Sequence, residues 1–140
     1  MSDEASMVAT VPVKLAPKPR PKHLDLTKIR LPLPGWVSIM HRVSGAALFL
    51  MIAPLLWLLE LSLSTELSFD RLRDILALWW VKVPLMLLVW AYLHHFCAGI
   101  RYLLLDLHIG IELAGARLSA LLVYVFSIPL AALVVWRLFF

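Results

Sequence analysis

The sequence has 140 residues, a net charge of +4 and an apolar content of 62%, and only 16% of its positions are charged. Soluble domains are about half apolar and about a quarter charged, so this balance excludes a disordered chain and a nucleic-acid-binding protein. The charge is also unevenly placed. Residues 1–42 carry seven Lys or Arg against three acidic residues, which gives +4, whereas the other residues carry six of each sign and sum to zero.

The basic segment before the first apolar stretch sets the expected topology. Six of its cations lie between residues 14 and 30, and Lys and Arg next to a first span favour a cytoplasmic location. We therefore expect a cytoplasmic N-terminal arm (residues 1–35), a periplasmic C-terminus and insertion in a bacterial inner membrane. The connections at residues 64–74 and 106–117 are then periplasmic and cytoplasmic loops. Prolines at 17–21 precede any apolar core, which argues against a signal peptide. The arm either touches anionic lipid as a solvated tail or lies along a cytoplasmic partner subunit.

Three apolar stretches follow the arm, and each is long enough to cross a bilayer, whose core of about 30 Å needs about 20 helical residues. The predicted spans are residues 43–63, 83–105 and 118–136. An apolar lead-in would make the second span too long for one crossing, so Trp79, Trp80 and Lys82 are predicted to lie at the interface. The fold class is therefore all-α, with residues 36–140 forming a three-helix transmembrane domain. Three helices enclose little interior, so a multi-chain helical bundle is expected.

Ionisable groups at membrane depth are candidate functional residues, because burying them is costly unless they are partnered. The first such cluster is at the cytoplasmic mouth of the first span. Helical spacing puts Ser38, Arg42 and Gly45 on one face and His41 beside them. This cluster offers a hydroxyl, an imidazole and a fixed cation to a ligand at the interface. The alternative is that Arg42 is only the last cytoplasmic cation and extends to lipid phosphates.

The second cluster forms two neighbouring stripes on the second span: His95, Gly99, Tyr102 and Asp106 on one, and His94, Ala98, Arg101 and Leu105 on the other. His95 is expected about 15 Å inside the cytoplasmic boundary by helical rise. A buried b-type haem needs an imidazole for iron, a small residue for clearance and a cation for its propionates, which His95, Gly99 and Arg101 would supply. His41, placed at the boundary, is predicted to lie too shallow to be the second axial ligand. The alternative is that His95 only hydrogen-bonds a carbonyl or a neighbouring helix.

The chain resembles the cytochrome b membrane-anchor subunits of succinate dehydrogenase, respiratory complex II. The resemblance covers about residues 20–120, and the third span matches only in hydrophobicity. Two elements in this order carry it: Ser38-Ile39-Met40-His41-Arg42-Val43-Ser44-Gly45, and His95 followed by Gly99-Ile100-Arg101. Further matches are Arg20-Pro21, Leu24-Asp25-Leu26, Ile29-Arg30 and Asp106.

The resemblance implies haem b shared with a second membrane-anchor subunit. By position, His95 corresponds to the axial ligand of the haem iron. His41 corresponds to a residue near the haem propionates. Tyr102 replaces a histidine found in some members and keeps a hydrogen-bond donor for a propionate. With Arg101, these residues form the expected cofactor contacts, and the second axial ligand is expected from another chain.

The resemblance also implies a ubiquinone-reduction site beside an iron–sulfur subunit. Ser38 and Arg42 correspond to residues lining that site, and Asp106 corresponds to an acid that orients Arg42 or a water. The chain is then a non-autonomous subunit of succinate dehydrogenase (quinone), which takes part in electron transport and the tricarboxylic acid cycle. The dicarboxylate site, flavin and iron–sulfur clusters belong to flavoprotein and iron–sulfur partners, because this chain has one cysteine and no nucleotide motif.

Two alternatives stay open at this point. One is a non-redox three-helix membrane subunit, such as a transporter or assembly component, in which the histidines only pack helices. The other is a haem-free anchor of the related fumarate reductase type.

Overall fold

The computed structural model describes residues 30–139, and these fold into four helices joined by short turns. The helices are α1 (Leu33–Ser64), α2 (Glu66–Ala77), α3 (Trp79–Asp106) and α4 (Leu113–Phe139). Three of them, α1, α3 and α4, are long and apolar enough to cross a membrane, so the predicted all-α class with three spanning helices is confirmed. The basic arm predicted for residues 1–35 lies almost entirely outside the described residues.

The first spanning helix begins well before the predicted span. Its N-cap, Pro32, is extended, and Pro34 lies in the first turn, where the missing N–H of a proline has no helical partner to lose. The start at Leu33 places His41 eight residues, or about 12 Å, inside the helix. The predicted span begins at residue 43 because polar side chains interrupt the apolar run before it.

An amphipathic helix, α2, replaces the expected periplasmic loop. The Thr65 hydroxyl accepts from the backbone N–H of Ser68 at 3.1 Å, and the Ser68 hydroxyl accepts from the backbone N–H of Thr65 at 2.9 Å. These reciprocal bonds satisfy two N–H groups at the start of the helix. Leu72 is buried, and α2 packs against α1 and α3. The apolar lead-in is divided, because α2 ends at Ala77 and α3 begins at Trp79.

The central helix is α3, which packs against both α1 and α4. Small side chains are buried on α3 and α4, namely Ala91, Ala98, Ala120, Ser127 and Ala131. Small residues let helix backbones approach closely inside a membrane. In the turn between α3 and α4, a Cβ on Gly115 would lie 3.0 Å from the Cα of Gly110, so the turn lies close against the start of α4. The bundle thus presents two faces of α3 to two different helices, and the candidate site lies on the α1 side.

Candidate functional site

Two histidines from different helices meet at the α1–α3 interface. The rings of His41 and His95 are stacked, with centroids 4.0 Å apart and planes inclined by 16°. The predicted difference in depth of about 15 Å is therefore wrong, because α1 starts earlier than expected and carries His41 to the level of His95. The two rings lie face to face, so they do not offer a nitrogen each to one atom held between them.

The Nδ1 atom of His95 is tied to α1. It lies 3.0 Å from the backbone carbonyl oxygen of His41 and 3.2 Å from Oγ of Ser44. The Ser44 hydroxyl itself donates to the same carbonyl at 2.9 Å. A carbonyl only accepts, so Nδ1 of His95 carries the hydrogen and the neutral ring has its lone pair on Nε2. Within residues 30–139 no hydrogen bond to this Nε2 is found, so it is free to bind a metal ion.

One glycine, Gly45, makes room for the stacked rings, and a second, Gly99, lies beside them. A Cβ on Gly45 would come within 2.8 Å of Cε1 of His95, so only glycine lets this ring lie against the backbone of α1. A Cβ on Gly99 would lie 3.9 Å from Cε1 of His41, which is an ordinary contact. Sequence reasoning chose Gly99 as the clearance residue and gave no role to Gly45 or Ser44. Their spacing of four and three residues from His41 was the available signal, since it puts all three near one helix face.

Tyr102 extends this cluster toward the end of α3. Its ring centroid lies 5.1 Å from that of His41, so the predicted stripe of His95 and Tyr102 does face α1. Asp106 is the last residue of α3 and is exposed. No hydrogen bond of its side chain is found in the described part of the chain.

The predicted quinone residues lie beside the buried face of α1. Val37 and Ser44 form that face, with exposed fractions of 0% and 2%. Ser38 is partly buried and Arg42 is exposed. The two are four residues apart, so they share a stripe of α1 that borders the histidine pair.

Arg101 points to a different helix. Its side chain is only 6% exposed. Nε donates to Oγ of Ser119 at 3.0 Å, and Nη2 lies 3.5 Å from the carbonyl oxygen of Ala116. Both partners are on α4, whereas His95 faces α1. This arrangement differs from the expected contact with haem propionates, which stays a prediction.

His94 is an aromatic packing residue in this structure. It is fully buried, and its ring centroid lies 5.2 Å from those of Trp90 and Tyr124. Neither ring nitrogen has a hydrogen-bond partner among the residues that the structure describes. The adjacent histidines thus contact different aromatic neighbours, because successive helical residues point about 100° apart.

Comparison with known proteins identifies the family. Residues 16–134 match the model of the succinate dehydrogenase/fumarate reductase transmembrane subunit. Three relatives are each named succinate dehydrogenase cytochrome b556 subunit. That of Coxiella burnetii is 37% identical over 121 residues, which are 84% of this chain and 97% of the relative. That of Paracoccus denitrificans is 32% identical over 114 residues, 81% and 88% of the two chains. That of Rickettsia typhi is 31% identical over 114 residues, 81% and 89% of the two chains.

The chain therefore belongs to the succinate dehydrogenase/fumarate reductase transmembrane subunit family, as a multi-pass membrane protein with three spanning helices.

Proposed function

We propose that the chain is a cytochrome b anchor subunit of a succinate:ubiquinone oxidoreductase. It binds haem b jointly with a second membrane-anchor subunit and forms part of the ubiquinone-reduction site. The observation that carries the proposal is the bond from Nδ1 of His95 to the His41 carbonyl at 3.0 Å, which leaves Nε2 as the free nitrogen. Relatives named as cytochrome b556 subunits support the same cofactor.

The residues of this interface fit a b-type haem. His95 offers Nε2 to iron, and a hydrogen bond from the other ring nitrogen to a carbonyl is the usual partner of a metal-binding histidine. The Ser44 hydroxyl and the His41 carbonyl hold that ring in orientation. The His41 and Tyr102 side chains are the expected propionate contacts. When bound, such a haem takes up and passes on one electron. A second histidine ligand would be supplied by the partner anchor, since the His41 ring is stacked against that of His95.

The quinone site is proposed on the neighbouring stripe of α1. The Ser38 hydroxyl donates a hydrogen bond to one quinone oxygen. The Arg42 guanidinium stabilises the negative charge that develops on that oxygen during reduction. Asp106, exposed at the end of α3, orients Arg42 or a water. Arg101, which the resemblance expects beside the haem propionates, donates its hydrogen bonds to α4 in this chain.

The remaining subunits and the topology complete the proposal. A flavoprotein subunit oxidises the dicarboxylate, and an iron–sulfur subunit docked at the cytoplasmic side delivers electrons to the quinone. The cytoplasmic arm of residues 1–35 carries the excess positive charge and sets the N-terminus inside. The chain then lies in a bacterial inner membrane with its C-terminus in the periplasm.

The haem ligand is tested by the reduced-minus-oxidised spectrum of the purified complex. We expect a b-type band in the wild type, its loss in His95→Ala, and its retention in His94→Phe. The last variant is a matched control, because His94 is the adjacent histidine and lies between aromatic rings. A normal band in His95→Ala contradicts the ligand assignment. A wild-type complex without a b-type band contradicts the haem and favours the haem-free fumarate reductase type of anchor.

The quinone site is tested by two activities of one complex. We expect Arg42→Ala to abolish succinate-dependent quinone reduction and to leave the reduction of an artificial dye by the soluble subunits intact. Arg73→Ala, on the exposed face of α2, is the control and should keep both activities. Equal loss of both activities in Arg42→Ala contradicts a role confined to the quinone, since it indicates failed assembly.

A further inference from the structure

Arg101 is a buried cation whose described partners carry no negative charge. Its side chain is 6% exposed, and its hydrogen bonds go to the Ser119 hydroxyl and the Ala116 carbonyl. Neither group balances a positive charge. A guanidinium held away from water is costly unless a counter-charge is present, so this side chain is suited to receive an anion.

An apolar crevice surrounds this cation. Arg101 lines an open cavity of about 420 Å³ between α3 and α4. The other lining residues are mostly apolar and include Cys97, Ile100, Leu104, Leu122 and Phe126. Arg101 lies five residues, or about 7.5 Å, before the last residue of α3. The cavity therefore combines a cation near the helix end with an apolar wall that runs toward the bilayer centre.

The crevice is separate from the histidine pair. At about 100° per residue, Arg101 lies about 120° around α3 from His95. Cys97 and Leu104 lie about 160° and about 180° from His95 on the same count. The α1 side of α3 thus holds the stacked rings, and the opposite side holds the crevice.

We infer that this crevice binds an anionic phospholipid of the leaflet at this end of α3, which is the cytoplasmic leaflet in the proposed topology. The lipid phosphate accepts hydrogen bonds from the Arg101 guanidinium, whose planar donors match phosphate oxygens. An acyl chain lies along the apolar wall formed by Ile100, Leu122 and Phe126, all of which are exposed in the chain. The apolar wall selects a membrane lipid over free phosphate, because inorganic phosphate gains nothing from it.

The assembled complex provides the test. Purified complex is stripped of lipid in detergent, phosphatidylglycerol or phosphatidylcholine is added back, and bound lipid is counted by native mass spectrometry. We expect the wild type to prefer phosphatidylglycerol. Arg101→Gln should weaken its retention at least tenfold, equivalent to about 1.4 kcal/mol. Arg117→Gln removes an exposed cation near the start of α4 and should leave retention unchanged. Equal retention of the two lipids by the wild type overturns the inference.

A second variant covers the case in which Arg101→Gln disturbs the α3–α4 contact. Ile100→Trp keeps the cation and fills the crevice, so it should also weaken phosphatidylglycerol retention. Leu103→Trp, which adds the same bulk at a site outside the lining, should not. Three results overturn the inference. The first is full retention in both Arg101→Gln and Ile100→Trp. The second is competition by inorganic phosphate at millimolar concentration. The third is loss of haem or of the second anchor subunit from Arg101→Gln while the lipid stays bound.

Discussion

Gly45 is the position at which one added methyl group should disturb the site most. In Gly45→Ala the new Cβ would lie 2.8 Å from Cε1 and 3.3 Å from Nδ1 of His95. Carbon atoms in ordinary contact are about 3.5–4.0 Å apart. The imidazole must therefore move away from α1 by about 0.7 Å or more, since the helix backbone on the other side of the contact is rigid.

A displacement of this size is enough to break the hydrogen bond that orients the His95 ring. The distance from Nδ1 of His95 to the His41 carbonyl is 3.0 Å, and an added 0.7 Å stretches it to about 3.7 Å, beyond hydrogen-bonding range. Overpacking of this kind costs about 1–3 kcal/mol. Gly→Ala also favours the helix by about 1 kcal/mol, so a matched substitution is needed to isolate the contact. Gly35→Ala serves, because it lies in α1 and its nearest new neighbour is 3.6 Å away.

Both variants are compared with the wild type in the assembled complex, by haem content, by the reduced-minus-oxidised spectrum and by the thermal midpoint of unfolding. Gly45→Ala should lose haem or broaden its band and should unfold at a lower temperature. Gly35→Ala should match the wild type in all three measurements. A Gly45→Ala complex with wild-type haem content, spectrum and midpoint would refute the inference that this glycine positions His95.

Three further predictions address other parts of the chain. Ser44→Ala should keep the b-type band and lower the haem midpoint potential in a redox titration. The His41 carbonyl then accepts a hydrogen bond from His95 alone, which makes the His95 imidazole more basic. An unchanged or higher potential contradicts this prediction. Thr65→Ala should cost about 1 kcal/mol of cap stability and accelerate amide exchange in α2 only; unaltered protection of α2 refutes the capping bonds. In a Cys97→Ser background, an impermeant maleimide should label Glu66→Cys from the periplasm and Glu112→Cys only in inverted vesicles; the reverse pattern contradicts the topology.

Sequence periodicity predicted the helices and their stripes well, because bilayer thickness and helical rise leave few alternatives for long apolar segments. The stripe of His94, Ala98 and Arg101 is buried, and the stripe of His95 and Tyr102 faces α1. Both follow from a period of 3.6 residues alone. Periodicity states which residues share a face.

Tertiary packing decides which helix lies against each face of α3, and the sequence alone did not predict this. Spacing showed Arg101 near His95 along the chain but could not show that its donors would meet Ser119 on α4. The apolar span was predicted from residue 43 because hydropathy treats Ser38 and His41 as breaks, whereas the helix itself begins at Leu33. The helix α2 was missed because its charged residues obscure the apolar face, while its capping bonds depend on atomic geometry.

The acceptor that orients His95 is a main-chain atom, and this separates two roles that position 41 would otherwise combine. Every amino acid placed at 41 brings the same carbonyl, so the tautomer of the His95 imidazole follows from the path of α1 and not from a side chain. A substitution at this position keeps that hydrogen-bond acceptor in place. A substitution series at 41 therefore reports on the His41 side chain, through its stacking on His95 and its proposed propionate contact. Replacing the peptide bond after His41 by an ester instead weakens the carbonyl acceptor and so tests the orientation of His95.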